Sequence, residues 1–313
     1  MSGMGTAVVI GLSAVVMAIR DGEAVVLTVR RPGEDLLGLP FGPFDPEGHR
    51  TFELALRAFV REQTRFDPGY VEQLYTFGDK GRDAPVADMG AGAARVISVG
   101  YLGLAPAALA GSAASGWQPW TRFFPYEDWR DGRPAALGTI ETALRSWATT
   151  ADRLARARLL FALDGAPWNE ERVLERYELL YEAGLVREAA RDRGEVQPVV
   201  LPPTGEPMIS DHRRILATAL SRLRGKLKYR PVVFELMPEA FTLSTLQRAV
   251  EAIAGVPLHK QNFRRALERT DLVEGLGRMD AGTGGRPAEL FRFRRELLAA
   301  RPVGGMSLPL LRE

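Results

Sequence analysis

Residues Gly42 to Phe66 read GPFDPEGHRTFELALRAFVREQTRF, and the second half of this stretch predicts a helix. Thr51 is placed to cap it, and Phe52, Ala55, Leu56, Phe59 and Val60 recur at the spacing of one buried helical face. Upstream, Thr6 to Ile19 and Glu23 to Arg31 are strand-like apolar runs joined by the turn Arg20-Asp21-Gly22, and the stretch Leu36 to Phe44 reads as a loop. Downstream, Tyr70 to Gly78 and Arg95 to Leu104 predict two further strands. The run VISVGYLGL in the second is continuous enough to be buried on both faces. Strands ordered in this way around one helix fit an α/β sandwich over about residues 6 to 140.

The opening stretch also resembles the Nudix hydrolase box, with most of its carboxylates replaced. In that pattern a glycine, five residues, a glutamate and seven residues precede Arg-Glu-apolar-x-Glu-Glu-x-Gly-apolar. Aligned from its C-terminal end, the chain offers Ala58 and Phe59 in place of the Arg-Glu pair and keeps Glu62. It has Gln63 for the second glutamate of the later pair, Arg65 for the glycine and, without gaps, Arg50 for the first glutamate. Magnesium needs several hard oxygen ligands. The resemblance therefore implies a box with no catalytic residues, no metal and no metal-assisted hydrolysis.

With 313 residues the chain is long enough for two domains, and its 46% apolar and 26% charged residues are those of a globular protein. It has no cysteine, which excludes disulfides, thiolate metal sites and a cysteine nucleophile. The three histidines, His49, His212 and His259, have no zinc-ligand spacing. The N-terminal apolar run lacks a basic leader and is too short to span a bilayer, so a cytoplasmic protein without membrane contact is expected. Charge is uneven: residues 201 to 313 hold 19 Lys and Arg against 12 Asp and Glu, whereas residues 1 to 200 hold 22 against 27. A neutral or acidic sensor joined to a basic DNA-binding module has this asymmetry, and so does a solvated basic face.

Three domains are expected: 1–140 as the Nudix-like sensor, 141–200 as a helical connector and 201–313 as a winged helix-turn-helix module. Gly138 to Leu163 and Trp168 to Arg193 carry helical periodicity and suggest a transmitter or dimer interface. The four prolines in Glu195 to Pro207 mark a boundary. Two segments stay open: Lys80 to Ala94 reads as a ligand lid or as a disordered loop, and Trp117 to Trp129, with three of the five tryptophans, as a base-stacking site or as core.

After the boundary, Ile209 to Lys228 predicts a helix with Ile215, Leu216, Ala219, Leu220 and Leu223 inward. Arg213, Arg214, Arg222, Arg224, Lys226 and Lys228 lie outside that stripe. Thr242 caps a second helix, and Gly255-Val256-Pro257 turns the chain into a third, Leu258 to Thr270. In the third, Phe263, Ala266 and Leu267 face inward, and Lys260, Gln261, Asn262, Arg264 and Arg265 supply the cations and amides that read base edges and phosphates. Leu272 to Glu274 and Ala288 to Phe293 pair as strands about the loop Asp280 to Pro287, which carries Arg286 and reads as a wing.

Taken together, GLPFGPFDPEGHRTFELALRAFVREQT (38–64), YVEQLYTFGDKGRD (70–83), RVISVGYLGL (95–104), FFPYEDWRDGRP (123–134), KYRPVVFELMPEAFTLSTLQ (228–247), NFRRALERTDLV (262–273) and GGRPAELFRF (284–293) resemble the Nudix-related transcriptional regulators of NAD metabolism, most closely the NadQ branch related to the NrtR family. The resemblance implies a Nudix-like sandwich followed by a winged helix, acting as a dimeric repressor of NAD biosynthesis genes. Its partners would be double-stranded operator DNA and an NAD-related or adenine nucleotide effector, with no required cofactor. Arg50, Arg57, Arg61, Glu62, Arg82 and Arg95 are candidates for contacting the effector, with Tyr75, Phe77 or Trp120 to stack adenine. Lys260, Gln261, Asn262, Arg264, Arg265 and Arg286 are candidates for contacting DNA. The alternatives are a divergent Nudix phosphohydrolase of a nucleoside diphosphate derivative and a basic module that docks on an acidic protein.

Overall fold

A computed structural model describes residues 8–30, 33, 35–67, 69–79, 95–106, 115–195, 201–280 and 287–296. Strand β1 (Val8–Arg20) turns through Asp21 and Gly22 into β2 (Glu23–Arg30). The stretch read as a loop contributes two short strands, β3 (Leu37–Gly38) beside β2 and β4 (Phe41–Pro43) beside β1. Helix α1 (Phe52–Thr64) follows, with the Thr51 hydroxyl accepting from the Leu54 N–H, and then β5 (Tyr70–Phe77), β6 (Arg95–Ala105) and β7 (Ser115–Pro119). The sheet runs β3-β2-β1-β6-β5, with β7 on β2. β1 and β6 pair in parallel from Val8 opposite Arg95 to Ala18 opposite Ala105. This central pair is covered on both faces, which is why both strands read as unbroken apolar runs.

Alternation along the strands sorts side chains to the two faces. Leu12, Ala14, Val16, Val25, Leu27, Val99 and Tyr101 meet Ala55, Leu56 and Val60 of α1. Val15, Met17, Val26, Leu102 and Leu104 point the other way, into a larger core. The chain then forms α2 (Ala136–Trp147), α3 (Ala151–Phe161), α4 (Val173–Glu182) and α5 (Arg187–Asp192), followed by α6 (His212–Tyr229).

Helix α6 corrects the expected domain division. It does not open a separate basic module at residue 201 but lies on β1, β5 and β6 alongside α4, as the second helical layer of the sandwich. The Ile209 N–H donates to the Leu37 carbonyl (3.0 Å), and Met208 is fully buried. A sheet apolar on both faces must bury the second one, and the Ile215-Leu216-Leu220-Leu223 stripe does so. Its cations are corrected with it. Arg213 and Arg224 are buried, Arg213 with Glu188 at 3.2 Å and Arg224 with Glu127 at 2.8 Å. Arg214, Lys226 and Lys228 pair with carboxylates of the sheet and connector. Part of the C-terminal basic surplus is therefore internal ion pairing.

Beyond α6, a 3-10 turn (Val232–Leu236), β8 (Phe241–Thr242), α7 (Leu243–Ala254), α8 (Lys260–Thr270), β9 (Val273–Asp280) and β10 (Ala288–Phe293) form the terminal unit, with a small sheet ordered β8-β10-β9. The aromatic segment after β7 is core: Trp120, Phe123, Phe124 and Tyr126 are at most 1% exposed.

Candidate functional sites

Helix α7 begins at Thr242, whose hydroxyl accepts from the Thr245 N–H, and ends at Gly255, whose φ of 70° lets the chain reverse into α8. On α8, Phe263 and Leu267 are buried in the larger core that also takes in Val15, Met17 and Leu102 of the sheet. Lys260, Gln261, Asn262, Arg264 and Arg265 are exposed, as is His259 before them. Lys260, Arg264 and Arg265 make no ion pair among the described residues, whereas on and beside the wing strands Arg292 pairs with Glu274 and Arg294 with Asp271. The helix thus presents uncompensated cations and amides on one outward face, followed by the antiparallel pair β9-β10. Arg286 lies outside the described residues.

The face of the eroded box is organised differently. Arg57 bonds Glu53 (3.0 Å), the Gly69 carbonyl (3.1 Å) and Asp67 (3.5 Å), and Arg61 also takes Asp67 (3.0 Å). Two of the candidate effector cations are thus brought together, and one carboxylate engages both. Arg95 donates to the Gly78 carbonyl, while Arg50 and Glu62 are exposed. Arg82 and the Lys80-to-Ala94 stretch lie outside the described residues. Among the described residues, no three His, Cys, Asp or Glu side chains cluster as metal ligands would. Of the candidate stacking rings, Trp120 is buried and Phe77 is 5% exposed, while Tyr75 is 59% exposed and meets Phe77 edge-on.

Gln63 has a local role. Its amide oxygen accepts from the Phe41 N–H (3.1 Å) and its amide nitrogen donates to the Phe41 carbonyl (2.6 Å), clasping α1 to β4. A carboxylate could accept the first bond and would oppose the second. Arg65 adopts φ 59°, ψ 23°, the left-handed conformation that a glycine would take at lower cost, and its N–H closes the helix on the Arg61 carbonyl.

A buried junction joins the terminal unit to the sheet. Glu127, fully buried, accepts from Arg176 (Nε 2.5 Å, Nη2 2.7 Å) and from Arg224 (Nη1 2.8 Å). Arg224 Nε donates to the Ile253 carbonyl (2.9 Å), Trp120 Nε1 to the Ala252 carbonyl (2.8 Å) and the Trp129 N–H to the Gly255 carbonyl (2.6 Å). A Cβ at Gly255 would collide with the Glu127 carbonyl and the Arg224 guanidinium. The carbonyls ending α7, at the turn into α8, are therefore held by donors from β7's exit and from α6. Burial pushes the Arg224 guanidinium below its ordinary pKa against the opposing pull of Glu127. A sequence signal existed: Arg213 and Arg224 fall on the same stripe as Leu216, Leu220 and Leu227, where a charge has to be paired.

Comparison with known proteins bears on both halves. Residues 233–293 match the family model described as the NrtR DNA-binding winged helix domain. A segment of 83 residues is 40% identical to the ADPR responsive transcriptional repressor NtrR of Acinetobacter baylyi, covering 26% of this chain and 33% of that protein. The match thus spans about one third of that relative's length. Among solved structures, the chain is similar to Shewanella oneidensis NrtR complexed with a 27mer DNA (TM-score 0.56, 21% identity, covering 95% of this chain and 97% of that one). It is also similar to a MutT/nudix family protein from Enterococcus faecalis (TM-score 0.52, 15% identity, 91% and 86%). At these identities the structural likeness establishes the fold, a Nudix-like sandwich carrying a winged helix.

Proposed function

We propose that the chain is a nucleotide-responsive repressor of NAD biosynthesis genes, related to the NadQ branch, because residues 233–293 match the NrtR DNA-binding winged helix domain and are set on a Nudix-like sandwich. The observation that carries this reading is the outward face of α8, where Lys260, Arg264 and Arg265 are exposed and unpaired among the described residues beside Gln261 and Asn262. Such a face binds phosphates through its cations and reads bases through guanidinium and amide groups. Arg286, in the stretch of sequence between β9 and β10, is the further candidate for contacting DNA. The effector is NAD or an adenine nucleotide, in keeping with the relative described as ADPR responsive. The protein acts as a cytoplasmic dimer on a palindromic operator and needs no metal.

The Nudix-like part binds rather than hydrolyses. Ala58 and Phe59 cannot hold magnesium, and Gln63 is committed to Phe41. Effector binding must favour one placement of the two winged helices over another, because a ligand indifferent to both shifts nothing. The Glu127 junction, with α6, is the route by which the sandwich would reach the reading helix.

The test is fluorescence anisotropy with DNA from upstream of NAD synthesis genes and of the chain's own operon. Replacing Lys260, Arg264, Arg265 and Arg286 with Ala should lower the slope of log affinity against log salt by roughly 3 to 4 for each protomer on the DNA and remove most affinity. Tight operator binding retained by that variant would overturn the reading. Magnesium-dependent breakdown of ADP-ribose by the unaltered chain, abolished by Glu62→Gln, would instead favour the hydrolase.

A further inference from the structure

On the sheet face opposite α1, a cleft of about 810 Å³ opens between β5, the start of α4 and α6. The volume is that of a small-ligand site, for which about 300–1,000 Å³ is usual. Its walls carry exposed aromatic rings: Tyr75 from β5 is 59% exposed and Tyr229 from α6 is 52% exposed, with Phe77 at the base of Tyr75. The cations around it differ in their bonding. Arg214 is held by Asp79, Glu178 and Asp211, Lys226 by Glu72, and Lys228 by Glu170 and Glu171. Arg172 and Arg222, both in the lining, make no ion pair among the described residues, and Glu175 is the one lining carboxylate likewise unpaired. The cleft therefore offers ring faces together with two guanidiniums that no carboxylate among the described residues holds in an ion pair, although Glu72 lies close enough to Arg222 to feel its charge.

We propose that this cleft, rather than the face of the eroded box, is the effector site, and that it takes a nucleotide-class anion, an aromatic base joined to a diphosphate. The assignment rests on the nucleotide-responsive reading above. Tyr75 and Tyr229 supply surfaces for the base, and Arg172 and Arg222 supply charge-assisted bonds to the phosphates. On the other side of the sheet, Arg57 and Arg61 already share Asp67. The location also explains how occupancy reaches DNA. The stripe Arg214-Thr218-Ser221-Arg222-Gly225-Tyr229 of α6 lines the cleft, and Arg224 of the same helix holds the Ile253 carbonyl at the turn into α8. A ligand that shifts α6 moves the anchor of the reading helix directly.

The experiment is calorimetric titration of the full chain with ADP-ribose, NAD and ATP, with operator binding measured separately. Arg172→Ala combined with Arg222→Ala should weaken the best of these ligands by about 10-fold or more, as expected for lost charge-assisted bonds. Tyr75→Ala should weaken it as well, while Tyr75→Phe retains binding. Arg57→Ala with Arg61→Ala should leave it unchanged. Operator affinity without nucleotide should stay at the unaltered level in the cleft variants, which shows that they fold. Wild-type nucleotide affinity in Tyr75→Ala and in the double arginine variant overturns the cleft assignment, as does failure of all three nucleotides to bind the unaltered chain. Failure of the unaltered chain to bind any operator overturns the repressor reading, and the nucleotide titrations then decide the cleft independently.

Discussion

Glu127→Gln tests the junction most directly. The carboxylate is fully buried and takes three hydrogen bonds, from Arg176 at 2.5 and 2.7 Å and from Arg224 at 2.8 Å. The amide preserves the volume, but it removes the one negative charge between two guanidiniums that have no exposure. Removing one partner from such a buried network costs about 3–5 kcal/mol. That is a large share of the roughly 5–15 kcal/mol that holds a typical native state. For a chain of this size each kcal/mol moves the thermal midpoint by roughly 2–4 °C, so a fall of about 6–20 °C is expected. Circular dichroism melts and urea titrations read it. Because Arg224 also holds the Ile253 carbonyl, amide exchange at the end of α7 should quicken in the same variant. Breaking the exposed Arg145–Asp164 pair by Asp164→Asn should leave the midpoint in place. A midpoint within about 2 °C of the unaltered protein in Glu127→Gln, with unchanged exchange at 252–258, would refute the idea that the triad fastens the winged helix to the sandwich.

Gln63→Glu should destabilise the fold by about 1–3 kcal/mol, because the Phe41 carbonyl loses its donor and faces a carboxylate; a urea midpoint equal to the unaltered protein's would contradict the clasp. The Glu72–Lys226 pair sets a pH dependence. Burial alone would raise the Glu72 carboxyl, yet hydrogen bonds from Lys226 and Tyr70 outweigh it and hold the group below its ordinary 4.5. Its contribution to stability is therefore present above that value and lost as pH falls through the lowered one. Burial alone would lower the Lys226 ammonium, but its bonds to Glu72 and Tyr70 raise it above 10.5, so its contribution is present below 10.5 and lost as pH rises beyond the raised value. Lys226→Met should flatten urea-midpoint profiles at both ends, and an unchanged acid limb would show that the pair is not responsible.

Elements whose period the solvent dictates were legible from residues alone. The alternating and continuous apolar runs became β1, β2, β5 and β6, and the Thr51-capped stripe became α1 almost residue for residue. The helix, turn and helix ending in α8 were legible too, because Thr242 and Gly255 act locally at their ends. The partner of α6 was not. Its stripe shows that one face is buried but not against what, and its basic residues were read as an outward face although most are matched by carboxylates far along the chain, such as Arg224 with Glu127 and Lys226 with Glu72. The pairing of Arg57 and Arg61 was hidden for a similar reason: Asp67 lies beyond the helix end, and the left-handed turn at Arg65 brings it back to both. Long-range pairing of charge has no period, so spacing cannot announce it.

The clasp at Gln63 also bears on descent. A side chain that both gives and takes a hydrogen bond with one strand residue can be exchanged for a glutamate only by weakening the seam between α1 and β4. Restoring a glutamate at 63 must therefore pass through a less stable form before the other replaced acidic positions of the box pattern, 50 and 59, gain anything from being restored together. Selection acting one substitution at a time meets a slope in that direction, so drift at those positions can proceed while the way back stays closed.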